Sequence, residues 1–216
     1  MMEYIFLSLF VIACVVHLID SWKDNTRRKI SKPFLIFLLL AYYVTATDKI
    51  SMILVGALLT SWIGDILLIP RGNRWLTRGG ISFVCSHILF VVTFMPLICF
   101  ERVPWLIVVL VMVIYCVVVC CVMKMFRKNI LKKMIVPIYI YLLINATMNI
   151  FAFMNLITNL NVSSFVIYTG AILFFVSDCT LFLVRYHRNK KLIFKRHFTV
   201  MLTYILAEFL IVLGCK

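Results

Sequence analysis

VPWLIVVLVMVIYCVVVCCVM (residues 103–123) runs without a single charge between Arg102 and Lys124. Coiled as an α-helix rising 1.5 Å per residue, this stretch is about 30 Å long, the thickness of a bilayer's hydrocarbon core. Working outward, apolar runs between charge clusters mark eight such spans, at about 2–19, 33–47, 50–69, 80–100, 103–123, 134–157, 163–184 and 198–214. Hydrophobic residues make up 64% of the 216 and charged residues only 14%. A soluble domain carries about a quarter charged residues, so a globular chain is excluded. The expected fold is all-α: a polytopic bundle of about eight transmembrane helices, forming one membrane domain over residues 1–216. The second span is the shortest and would require a thin patch of bilayer. Pro33, Pro70, Pro96, Pro104 and Pro137 fall at or near span ends, which predicts helix interiors free of breakers. The first run lacks a basic leader and a small-residue cleavage site, so it reads as a retained helix. Nearly all of the eight cysteines lie within apolar runs and are expected as buried free thiols.

The formal net charge of +14 is confined to short clusters between spans. The loops after spans one, three, five and seven hold all of the 22 Lys and Arg except Lys49, Arg102 and Lys216. Basic residues gather on the cytoplasmic side of membrane proteins, so this alternation predicts that both termini face away from the cytoplasm. Clusters at the membrane surface suit anionic lipid head groups as partners, at about 1 kcal/mol per residue, and not nucleic acid.

Five of the eight acidic residues sit at span ends or in loops; Asp65, Asp178 and Glu208 lie inside spans. An acid within the membrane is costly, and such residues mark functional sites more often than structural ones. No Lys or Arg falls within a predicted span, so these acids are expected without basic partners. In the predicted topology Asp65, His87, Tyr141, Asn145, Asp178, Tyr204 and Glu208 share a depth of roughly 7–17 Å below the cytoplasmic boundary. That depth predicts one pocket, with Asp65 and Asp178 facing the same cavity. Ser61 and Asp65 are four residues apart, as are Tyr141 and Asn145, and Tyr204 and Glu208, so each pair shares a helix face. Ser61 is expected to orient Asp65, and Ser177 stands beside Asp178. His87, with His17 and the acids, is the residue a metal would draw on, but no compact ligand spacing such as H-x-x-E-H is present. No metal or other cofactor is expected.

A faint internal echo runs through the chain. Pro33 precedes FLIFLLLAYY and Pro137 precedes IYIYLLI; GDILL (64–68) is matched by SDCTL (177–181). Four helices separate the members of each pair, as in a parallel duplication. Apolar phrases resemble one another easily, so chance is the expected explanation of the echo.

The phrases SWIGDILL (61–68), GGISFVCSHILF (79–90), GAILFFVSDCTLF (170–182) and TYILAEFLI (203–211), with the stretch from Pro137 through Tyr141 to Met148, occur in an order that resembles the lysoplasmalogenase-like, YhhN-type membrane family. The resemblance implies hydrolysis of the vinyl ether bond of a lysoplasmalogen, a lysophospholipid, to a fatty aldehyde and a glycerophospho head group. It also implies that Asp65 and Asp178 are the catalytic carboxyls, with Ser61, His87, Tyr141, Asn145, Ser177, Tyr204 and Glu208 as supporting or substrate-binding groups. Where the family carries Ala-Gln in the last span, this chain has Ala207-Glu208. Vinyl ether cleavage begins with protonation of carbon and proceeds through an oxocarbenium ion, which calls for one protonated carboxyl and one ionised carboxyl. Burial and mutual repulsion separate two neighbouring carboxyls in that way. The alternatives are a proton-coupled transporter, because in-membrane acids also build proton relays, and a non-catalytic membrane protein.

Overall fold

A computed structural model describes residues 2–216. Eight α-helices follow one another among the described residues: α1 (Met2–Trp22), α2 (Arg28–Ala46), α3 (Met52–Leu67), α4 (Asn73–Phe94), α5 (Trp105–Phe126), α6 (Lys132–Asn159), α7 (Val162–Tyr186) and α8 (His197–Cys215). No strand occurs among them. All but α3 are long and apolar enough to cross a membrane, which fits a multi-pass integral membrane protein. The short helix is therefore α3, with 16 residues and a length of about 24 Å, and not the second, as expected. The second helix reaches 19 residues because it begins at Arg28, ahead of Pro33.

That early start corrects the reading of the prolines. Pro33 lies inside α2 and Pro137 inside α6. Both fall in the second turn, where each removes one backbone donor. The Pro33 carbonyl is used elsewhere: the Trp62 indole on α3 donates to it at 2.7 Å.

By contact the chain divides into two compact units, one ending at Thr93 and joined by Lys216, the other Phe94–Cys215. Apolar lipid gives helices no hydrophobic reason to associate, so close packing and interhelical hydrogen bonds hold such bundles. In the first unit, a Cβ added at Gly64 would stand 2.7 Å from the Phe83 ring, and one at Gly79 would stand 2.7 Å from Leu68. Only glycine lets α3 and α4 approach so closely. Ser82 on α4 donates to the Thr60 carbonyl on α3 at 2.6 Å.

In the second unit, α7 and α8 are the most intimately packed pair. A Cβ at Gly170 would meet the Ala207 carbonyl at 2.9 Å, and one at Gly214 the Ser163 carbonyl at 2.8 Å. A tight connection joins α6 to α7. Leu160 takes a left-handed conformation (φ 45°) to end α6. Asn161 then opens α7 with a reciprocal capping box, its Oδ1 accepting from Ser164 N–H at 2.8 Å. The outer face of α5 is apolar and exposed at Leu106, Leu110, Val113 and Val117, as a lipid-facing helix requires. The cysteines are free. Only Cys14 and Cys179 are buried, whereas Cys85, Cys116, Cys120 and Cys121 lie on outward faces, contrary to the expectation of buried thiols.

Candidate functional site

Of the residues singled out from the sequence, Ser61, Asp65 and His87 belong to the first unit, and Tyr141, Asn145, Ser177, Asp178, Tyr204 and Glu208 to the second. All nine are buried.

In the second unit, Asp178 on α7 is met by α6. Tyr141 donates its hydroxyl to Asp178 Oδ2 at 2.7 Å, and Asn145 donates its Nδ2 to the same oxygen at 2.6 Å. Four residues apart, the two donors stand one above the other on a single helix face. The Tyr141 ring is held edge-on against Phe182, with centroids 5.4 Å apart. The network extends one turn further along α6 to Asn149. Its Nδ2 donates to Asn145 Oδ1 at 3.0 Å and to the Asn145 main-chain carbonyl at 3.1 Å. Tyr115 on α5 donates its hydroxyl to Asn149 Oδ1 at 3.1 Å.

Ser177 does not serve its neighbour Asp178. It donates to the Val200 carbonyl on α8 at 2.9 Å and thereby ties α7 to α8. On α8, Tyr204 packs edge-on against Phe174 at 5.5 Å, and Glu208 is fully enclosed.

In the first unit, Asp65 has the partner the sequence did not predict. Lys32 Nζ lies 3.0 Å from Asp65 Oδ1, with the Lys32 side chain 17% exposed and that of Asp65 only 2%. The absence of a basic residue within the spans is thus overturned. Starting α2 at Arg28 carries Lys32 onto the helix, one residue before Pro33. Ser61 is likewise engaged away from Asp65. Ser86 Oγ donates to the Ala57 carbonyl at 3.0 Å, so its single proton is spent and Ser61 is the donor in their 2.7 Å contact. The expected serine–aspartate orientation gives way to a serine pair between α3 and α4. His17 on α1 holds Ser31 on α2 at 2.8 Å through Nδ1.

Four residues of these buried polar contacts escaped the sequence reading: Lys32, Ser86, Tyr115 and Asn149. Asn149 carried a signal, since Tyr141, Asn145 and Asn149 recur every four residues on one face of an otherwise apolar helix. Lys32 carried none, because a residue preceding proline is biased away from helical conformation.

A family model matches residues 27–215 of the chain. The chain belongs to the YhhN family. That family is one of lysoplasmalogenase-like proteins, and the match spans α2 through α8, the buried carboxyls of Asp65, Asp178 and Glu208 included. No curated protein and no solved structure matches the chain.

Proposed function

We propose that this YhhN-family protein hydrolyses the vinyl ether bond of lysoplasmalogens, with Asp65 and Asp178 carrying the acid–base chemistry. The observation that supports this reading best is the Asp178 carboxyl, buried among membrane helices and accepting from Tyr141 and Asn145. In the proposed reaction one carboxyl delivers a proton to the β-carbon of the vinyl ether, and the electron pair of the double bond forms the new C–H bond. The resulting oxocarbenium ion takes water at the α-carbon while the second carboxyl accepts a proton from that water. The hemiacetal then collapses to a fatty aldehyde and a glycerophospho alcohol. No oxidant or reductant enters the balance. The ether lies just beneath the lysolipid head group, at the depth expected for the two aspartates. Cytoplasmic basic loops, with both termini on the opposite side, would hold anionic head groups near that surface.

Purified protein incubated with a lysoplasmalogen should release aldehyde. Asp65→Asn and Asp178→Asn should each lower turnover at least about 100-fold, the scale of general acid–base catalysis, with little change in lysolipid binding. Folded variants that turn over at the wild-type rate refute the carboxylate mechanism. The Lys32–Asp65 ion pair favours one other reading, a proton-coupled transporter, because paired charges in membrane helices recur in proton relays. Substrate-dependent proton flux in proteoliposomes without aldehyde release would select it.

A further inference from the structure

We propose that Asn149 is a positioning residue that fixes which end of the Asn145 amide faces Asp178. The part that concerns turnover rests on the hydrolase reading above. The two ends of an amide are nearly the same size, so packing alone does not orient Asn145. Its direction nevertheless matters. Turned by half a revolution, Asn145 would aim Oδ1 instead of Nδ2 at Asp178 Oδ2 across 2.6 Å, replacing a donor with a second acceptor.

The orientation is inherited from the backbone. A main-chain carbonyl can only accept, and the Asn145 carbonyl accepts from Asn149 Nδ2 at 3.1 Å. That bond points the Asn149 amide N–H group toward Asn145, and the same nitrogen donates to Asn145 Oδ1 at 3.0 Å. With Oδ1 claimed on this side, the Asn145 amide must present Nδ2 to the aspartate. At the far end, Tyr115 donates into Asn149 Oδ1, which agrees with the same polarity but is not needed to impose it. Asn145 and Asn149 are completely buried. In such an interior a hydrogen bond is strengthened and a mismatched polar pair is costly, so the carbonyl's direction is transmitted through two amides to the carboxyl. Titratable groups on the helices packed against α7 include Tyr115 on α5, Tyr141 on α6, and Tyr204 and Glu208 on α8, with Cys179 adjoining Asp178 on α7 itself.

Three variants test the chain of polarity, read by aldehyde release and by the infrared band of the Asp178 carboxyl, identified by isotope labelling and by its loss in Asp178→Asn. Asn149→Leu keeps the bulk and removes the donor. Its kcat should fall about tenfold with KM unchanged, as expected for one lost buried hydrogen bond, and the Asp178 band should shift. Asn149→Asp keeps the shape and presents only acceptors to Asn145, so the Asn145 amide should turn over and kcat should fall further than in Asn149→Leu. Tyr115→Phe leaves the carbonyl lock intact, so kcat should stay within about threefold of wild type and the band should not move. Equal losses in Tyr115→Phe and Asn149→Leu would overturn the proposal, as would an unmoved band in folded Asn149→Asp protein. If the wild-type protein releases no aldehyde, the hydrolase reading fails. The band then still decides the positioning role.

Discussion

Replacing Lys32 by Met removes a cation 3.0 Å from a carboxyl whose side chain is 2% exposed, and the cost should depend strongly on which partner is lost. Breaking a buried pair from one side costs about 3–5 kcal/mol, because a buried charge is left uncompensated. Lys32→Met leaves Asp65 in that position, and about 3 kcal/mol is expected. Asp65→Asn leaves Lys32, which is 17% exposed and can bend its flexible stem toward the head groups, so about 1 kcal/mol is expected. The double variant removes both charges. Such replacements are often neutral, so its stability should return to within about 1 kcal/mol of wild type. The resulting coupling of about 3–4 kcal/mol lies at or just above the upper end of the range for residues in contact. Reversible unfolding in mixed detergent micelles, run as a full double-mutant cycle, measures it. Adding Asp65→Asn to Lys32→Met should restore stability while leaving the protein unable to release aldehyde, which separates the fold from the chemistry. If Lys32→Met is as stable as wild type, or Asp65→Asn makes it worse, the ion pair does not hold α2 to α3 as described.

Gly170→Ala should lower stability by about 1–3 kcal/mol, because its Cβ would meet the Ala207 carbonyl at 2.9 Å; unfolding in the same micelles reads it, and an unchanged midpoint argues against close α7–α8 packing. Glu208→Gln restores the residue the family resemblance expects in the last span and keeps the side-chain volume, so aldehyde release should stay within about threefold of wild type. An alkaline-phosphatase fusion at Lys216 should be active and a cytoplasmic reporter there silent, as the alternation of basic loops predicts; the reverse result rejects that topology.

How much of this was legible in the sequence depended on where charges lie relative to helix ends. α5 was readable to within three residues at each end, because nothing between Arg102 and Lys124 competes with the membrane. The starts of α2 and α4 were placed too late. Lys29 and Lys32 read as a loop, and so did Arg74, Arg78 and Gly79, yet each set is helical. Basic side chains at a membrane surface extend to the head groups while their backbone remains in the helix, so charge marks the interface and not the end of the helix. The same misplacement hid the Lys32–Asp65 pair. Tyr141, Asn145 and Asp178 stood out as polar groups in apolar surroundings, and their spacing correctly put Tyr141 and Asn145 on one face. The hydroxyls of Ser61 and Ser177 were assigned to adjacent carboxyls because sequence shows neighbours along a helix and not across it. Across the interface, Ser86 and the Val200 carbonyl were within closer reach.

The echo between GDILL and SDCTL gains weight from contacts that no comparison of letters contains. Successive residues on a helix point about 100° apart, so a small residue and the aspartate after it must address different neighbours. In the first unit Gly64 abuts Phe83 on the fourth helix, and Asp65 pairs with Lys32 on the second. In the second unit Ser177 bonds to Val200 on the fourth helix, and Asp178 accepts from Tyr141 and Asn145 on the second. Each third helix thus turns its small residue to the fourth helix of its unit and its acid to the second, and a proline stands near the start of that second helix in both units. Chance resemblance between apolar phrases accounts for similar letters, whereas matched directions are what a duplicated four-helix plan would produce. The contacts of the two acids differ: Lys32 lies against Asp65, and Tyr141 and Asn145 donate to Asp178. A reaction that requires one carboxyl to give a proton and another to take one needs two acids with different surroundings, and the differing contacts of the two units supply that difference.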